Sequence, residues 1–164
     1  MASPSIVECS KLIAKNNLKI AFAESATAGW LASEFSLTED SGKILLGGIV
    51  CYDATTKQDI LGIPEELIEQ CTPESAEVTK AIADALPKLF GCDIAVGVTG
   101  LTTPGGSETE DKPVGTMFIH INMPHSRYMA HREVFEGKPE EIIKKTIRRV
   151  GTLLTEMVEK HQES

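Results

Sequence analysis

Ser25 lies between a short apolar run, residues 18–23, and a stretch of helical periodicity, residues 27–35, in the sequence Ala21-Phe22-Ala23-Glu24-Ser25-Ala26-Thr27-Ala28-Gly29. A serine at the end of a buried strand, followed at once by a helix, projects its hydroxyl above the sheet. That is the architecture of a nucleophile elbow, here without the glycines of G-x-S-x-G. The amides of Ala26 and Thr27 then fall at a helix N-terminus, where free N–H donors suit an oxyanion or a phosphate. Such a site permits attack by a hydroxyl on an electrophilic carbon. The plainer reading makes Ser25 or Thr27 an N-cap and nothing more.

A serine hydroxyl needs a base. His120, His125, His131 and His161 form no recognisable constellation and read as strand or surface residues. Lys57 is the other candidate. It follows Tyr52 by five residues in Tyr52-Asp53-Ala54-Thr55-Thr56-Lys57, at the start of a short helix facing the same edge. A lysine that loses its solvation in a cleft has a lowered pKa and accepts a proton near neutrality. A solvated surface lysine is the alternative. Asp53 reads as the N-cap of that short helix.

A third polar segment, Thr99-Gly100-Leu101-Thr102-Thr103-Pro104-Gly105-Gly106-Ser107, has the spacing of a phosphate-binding P-loop. Gly106 stands where that motif requires lysine, and no helix opens after it, which argues against a nucleotide triphosphatase. A loop shaping a pocket is the better reading. Glu24, Asp53 and Asp93 show no metal-ligand pattern, and no metal or other cofactor is expected.

These segments need elements to hold them. Helical spacing predicts a first helix through Ile6, Cys9, Leu12 and Ile13, ended by Asn16-Asn17. Residues 18–23, 45–52, 93–98, 114–121 and about 127–135 read as strands. Gly47-Gly48 marks a bulge or a close backbone approach in the second of these, and Gly48 joins the candidate substrate contacts. Pro64 opens a short helix. A longer helix is expected from residue 73 or 75 to residue 90, and a final amphipathic one over 139–161. In open α/β sheets ligands bind beyond the carboxyl ends of the strands, where all three polar segments fall. The element order predicts a three-layer α/β/α fold with a mixed sheet, one domain over residues 1–164.

The composition agrees with that class. The chain has 164 residues, of which 41% are hydrophobic, enough for one buried core and too few for two ordinary domains. A formal charge of −8 disfavours broad binding to nucleic acid or anionic membrane. Cys9, Cys51, Cys71 and Cys92 form no C-x-x-C pair and read as small buried hydrophobes in a reducing compartment. With no signal-like start and no long apolar run, a cytoplasmic protein is expected.

Together the motifs resemble the CinA C-terminal domain family, which includes the stand-alone nicotinamide mononucleotide (NMN) amidohydrolases called PncC. The resemblance covers about residues 5–158. It rests on Ala23-Glu24-Ser25-x-Thr27-x-Gly29, on Gly47-Gly48-Ile49-Val50-x-Tyr52 with Lys57, and on Leu61-Gly62-Ile63. Val98-Thr99-Gly100, Pro104-Gly105-Gly106 and Lys112-Pro113-Val114-Gly115-Thr116 complete it. The resemblance implies hydrolysis of the carboxamide of NMN to nicotinic acid mononucleotide and ammonia. It implies Ser25 as nucleophile and Lys57 as base, with Tyr52 and Thr99 as further catalytic residues. Ala26, Thr27, Gly48, Gly100, Gly105 and Gly106 become oxyanion or substrate contacts. A homo-oligomer, favoured as a dimer, is also implied.

The chain departs from the family pattern in places. Ala26 and Ala28 replace a cysteine and a glycine, Thr103 replaces a glycine, and Pro139 stands where an arginine is usual. A ligand-binding or interaction module without activity, and an amidase for another carboxamide, are the competing expectations.

Overall fold

The computed structural model describes residues 1–163. The N-terminal helix α1 (Pro4–Lys15) has Pro4 in its first turn and buries Ile6, Cys9 and Ile13 on one stripe. It leads into strand β1 (Ile20–Glu24), every residue of which is buried. Helix α2 (Trp30–Ser36) and the single turn α3 (Ser41–Ile44) follow, then strand β2 (Leu45–Val50). Four short helices come next: α4 (Ala54–Asp59), α5 (Glu65–Cys71), α6 (Ala76–Asp84) and α7 (Leu86–Phe90). Strands β3 (Ile94–Gly100), β4 (Thr116–Asn122) and β5 (Tyr128–Val134) and the long helix α8 (Pro139–Gln162) complete the order.

The five strands form one mixed sheet in the order β2-β1-β3-β4-β5. β1 runs parallel to both β2 and β3, whereas β4 and β5 add antiparallel. Period-2 alternation divides the buried residues between two cores. Ile20 and Phe22 of β1 and Ile94, Val96 and Val98 of β3 pack with α1, α2 and α8 on one face. Ala23 and Ala95 face the other way, against Val78, Ile82 and Leu86 of α6 and α7. The expected three-layer α/β/α arrangement is therefore present.

Three expectations need correction. The helix foreseen from residue 73 or 75 to residue 90 is broken between Asp84 and Leu86. Pro87 has no N–H for the carbonyl four residues back, and its ring crowds that carbonyl, which outweighs the continuing apolar period. The turn α3 was not foreseen. The helix expected from residue 27 begins only at Trp30, with consequences for Ser25. In β2 the register slips by one residue after Leu45, the bulge the glycine pair foretold.

Candidate active site

β1 delivers Ser25 to the carboxyl end of the parallel strands. The Ser25 amide donates to the Val98 carbonyl of β3 at 2.9 Å, and the Cys51 amide donates to the Glu24 carbonyl at 2.9 Å. The residues around Ser25 are thus tied to both neighbouring strands. The chain then turns before α2 starts. The Ala28 amide donates to the Ser25 carbonyl at 3.0 Å, and Ala28 and Gly29 take φ values of 48° and 92°. Neither Ser25 nor Thr27 caps the helix, since the N-cap is Gly29. The amides of Ala26 and Thr27 lie in the turn rather than in the first helical turn. Among the described residues neither amide has a hydrogen-bond partner, so two N–H donors stand free beside the Ser25 hydroxyl.

The missing cap comes from the strand. The buried Glu24 carboxylate accepts from the Thr27 hydroxyl at 2.6 Å, the Leu31 amide at 2.8 Å and the Ala32 amide at 3.0 Å. This carboxylate fixes the start of α2 and, through Thr27, the turn bearing Ser25. Glu24→Gln sets an amide NH₂ against N–H and O–H donors and leaves buried groups unpaired. We expect it to lose about 2–3 kcal/mol of stability. As a positioning residue it should lower kcat by roughly 10²-fold while KM changes little. Urea unfolding and steady-state kinetics check both; a rise confined to KM would assign Glu24 to substrate contact instead.

Ala28 is held in the left-handed region, where a Cβ costs about 1–2 kcal/mol. Glycine relieves that strain but adds freedom to the unfolded chain. Ala28→Gly should therefore stabilise the protein by about 0.5–1 kcal/mol, seen as a thermal midpoint raised by about 2 °C. A lowered midpoint would show that the methyl contributes packing that outweighs the strain.

α4 presents the second catalytic candidate. The Asp53 side chain accepts from the Thr55 amide at 3.0 Å and caps this helix, as the sequence foretold. The cap directs Lys57, the one buried residue of α4, inward. Lys57 is 1% exposed and Ser25 is 7% exposed. The Lys57 Nζ lies 3.1 Å from Ser25 Oγ, 2.7 Å from the Cys51 carbonyl oxygen and 3.4 Å from that of Tyr52. Burial pushes the Lys57 pKa below the ordinary lysine value of 10.5. A neutral amine has two hydrogens and one lone pair. The two carbonyls take the hydrogens, and the lone pair is left for the serine hydroxyl.

Tyr52 contributes its backbone rather than its phenol. Its carbonyl lies 3.4 Å from both Ser25 Oγ and Lys57 Nζ. The side chain is 63% exposed and its hydroxyl has no hydrogen-bond partner among the described residues. The Ser25–Lys57 distance of 3.1 Å puts the amine and the hydroxyl in direct contact.

The third segment closes the site. Ser25, Ala26, Tyr52, Glu74 and residues 100–106 line a cleft enclosing about 200 Å³. Gly100 ends β3 at its wall, where a Cβ would meet the Thr116 carbonyl oxygen at 2.7 Å. Of the expected residues, Thr27, Lys57, Thr99 and Gly48 are not among those lining this cleft, although Lys57 lies against Ser25. Thr99 is fully buried and its hydroxyl pairs with that of Thr79 on α6 at 2.8 Å, because the pleat turns it to the α6 face. Gly48 lies in β2, where a Cβ would sit 2.8 Å from the Phe22 carbonyl oxygen. Its role is close strand approach within the sheet.

Glu74 and Glu108 belong to this region and were not singled out by sequence, and Lys112 entered there as part of a motif without a role. Lys112 donates to the Thr72 hydroxyl at 2.7 Å, the Glu74 carbonyl at 2.8 Å and the Ser107 hydroxyl at 2.9 Å. The Ser107 hydroxyl in turn donates to the Glu74 carboxylate at 2.5 Å. Lys112 thereby clasps the glycine loop to the segment before α6. Thr72, at φ 70° and ψ 155°, occupies a region nearly reserved for glycine and is held there by this clasp. Among the described residues no group of three or more His, Cys, Asp or Glu is arranged to hold a metal ion. Among the described residues no helix is long and apolar enough to cross a membrane.

The arrangement supplies a buried hydroxyl, an adjacent amine of lowered pKa and two free amides, the parts needed for nucleophilic acyl transfer. Residues 3–158 match the family model of the CinA C-terminal domain. A CinA-like protein of Desulfotalea psychrophila is 35% identical over 130 residues, covering 79% of this chain and 31% of that protein. A CinA-like protein of Leptospira biflexa is 37% identical over 123 residues, covering 75% and 29%. The chain thus spans about a third of the length of these curated relatives. Among solved structures, a CinA superfamily protein of Klebsiella pneumoniae superposes with a TM-score of 0.88 at 22% identity, covering 95% of this chain and 96% of that one. One from Escherichia coli superposes with a TM-score of 0.83 at 24% identity, covering 92% and 87%. These last two likenesses concern the fold.

Proposed function

Because the chain belongs to the CinA C-terminal domain family, we propose that it is a serine amidohydrolase that converts NMN to nicotinic acid mononucleotide and ammonia. The observation that carries this reading is the 3.1 Å approach of a buried lysine amine to the Ser25 hydroxyl. Neutral Lys57 takes the Ser25 proton as Oγ attacks the carboxamide carbon. The free amides of Ala26 and Thr27 receive the developing oxyanion. The tetrahedral intermediate collapses, the C–N bond breaks, and Lys57 returns the proton to the departing ammonia. Water then attacks the acyl-enzyme ester, giving its proton to Lys57, and the acid leaves as Ser25 regains its hydrogen. No metal takes part in this scheme. Under the same reading the protein is cytoplasmic and forms a homodimer.

A second reading, an amidase for a carboxamide without a phosphate, is favoured by the walls of the cleft. Among the described residues that line it, Glu74 is charged and none is Lys or Arg. Incubation of the purified protein with NMN and, separately, with nicotinamide riboside decides between them, with ammonia and the acid product measured for each. Turnover of NMN supports the nucleotide reading, and turnover of the riboside alone supports the second. Turnover of neither would overturn the NMN reading and exclude the riboside as the second reading's substrate.

A further inference from the structure

Two successive amides of the loop that walls the cleft are held by a carboxylate of the same loop. The Gly105 amide donates to Glu108 Oε1 at 3.1 Å, and the Gly106 amide donates to Glu108 Oε2 at 3.1 Å. Gly105 has φ 97°, the left-handed conformation that lets two successive N–H groups point the same way. Both glycines line the cleft that contains Ser25. Each carboxylate oxygen thus takes one amide, the pattern in which two oxygens of a phosphoryl group would be held.

Among the described residues no cationic side chain lines the cleft, and the Ala26 and Thr27 amides directly follow the nucleophile in the chain. The Gly105–Gly106 pair adds two N–H donors on the wall of the cleft. Glu108 is three residues from Gly105 on the same loop. Among the described residues its carboxylate accepts from these two amides and from no other group. The charged partners of this loop act on Ser107 and on the backbone at Glu74, through Lys112.

We infer that the Gly105–Gly106 amide pair is a phosphate seat occupied by Glu108 in the free protein, so that a phosphate-bearing substrate must displace this carboxylate to bind. Glu108 is accordingly a specificity-determining residue. It weakens binding of the phosphorylated substrate and leaves an unphosphorylated analogue unaffected. The seat itself follows from the geometry. Only the identity of the phosphate's bearer rests on the NMN reading.

The test is Glu108→Gln, which keeps the side-chain length and removes the charge. Inorganic phosphate is titrated into ¹⁵N-labelled wild type and variant while the Gly105 and Gly106 amide resonances are followed. The seat should be freed and phosphate should bind roughly tenfold more tightly to the variant, as expected when a competing internal ligand is removed. Both glycine resonances should move together. In parallel, KM for NMN should fall by a similar factor, while KM for nicotinamide riboside should not fall. Unchanged or weaker phosphate binding by the variant, or shifts that bypass Gly105 and Gly106, would overturn the seat and reduce Glu108 to a loop brace. If phosphate behaves as expected but NMN is not hydrolysed, the seat stands and the NMN reading alone fails.

Discussion

Ser25→Ala should abolish ammonia release from NMN, lowering kcat by at least about 10⁴-fold while the protein stays folded. The two halves of this expectation have separate causes. The backbone of Ser25 holds the turn through its amide on Val98 and its carbonyl under the Ala28 amide, and alanine keeps both bonds. The hydroxyl contacts Lys57 Nζ and the Tyr52 carbonyl and no other group. Its removal deletes the attacking atom and leaves Lys57 still bonded to the Cys51 carbonyl. Thermal denaturation should therefore be nearly unchanged, and NMN should still shift the midpoint upward by binding. Residual hydrolysis would reflect the amides and the bound geometry alone. Near-normal ammonia release by the variant would remove Ser25 from the mechanism.

Lys57→Met should lower kcat/KM by about 10³-fold, the ordinary worth of a positioned general base. Methionine fills much of the volume of the lysine stem and has no proton acceptor of comparable basicity. The wild-type profile should carry the signature of the base. Burial lowers the Lys57 pKa from 10.5, and only the neutral amine accepts the Ser25 proton. Activity is accordingly full above the folded-state pKa and lost as pH falls through it, tenfold per unit. The ascending limb must have its midpoint below 10.5, and the variant's residual activity must lack that limb. Linkage adds a stability counterpart. Between the lowered folded value and the unfolded one, the unfolded chain binds more protons at Lys57, so wild-type stability rises with pH relative to the variant. A variant that kept the ascending limb would assign it to another group.

Ser25 and Lys57 were legible in the sequence because their settings are local. One ends an apolar run, and the other follows an Asp cap by a single helical turn. What was not legible depends on contacts across the sheet. Glu24 sits in a buried strand, and its partners at Thr27, Leu31 and Ala32 meet it only after the turn reverses the chain. A buried glutamate just before a helix without a capping side chain was the available signal. Thr99 was misplaced for a related reason. Its motif lies in the loop region, but the side chain follows the pleat of β3 to Thr79, and sequence does not say which face holds the cleft. Glu74 and Lys112 come together across 38 residues, a spacing that no local pattern encodes. Pro87 is different, since its effect is local and the apolar period simply runs through it.

The two candidate catalytic groups and the loop that walls the cleft have different mechanical standing. Ser25 is tied into the parallel strands, and Lys57 is anchored on the carbonyl that follows β2. The walls around them come from residues 101–106, outside any strand or helix and gripped at Ser107 by one lysine. Insertions or replacements in that loop can therefore alter what the cleft admits without shifting the hydroxyl or the amine. On the proposed function, reaction and selectivity rest on separable parts of the scaffold, so substitutions in the loop can change its substrates while its chemistry stays fixed.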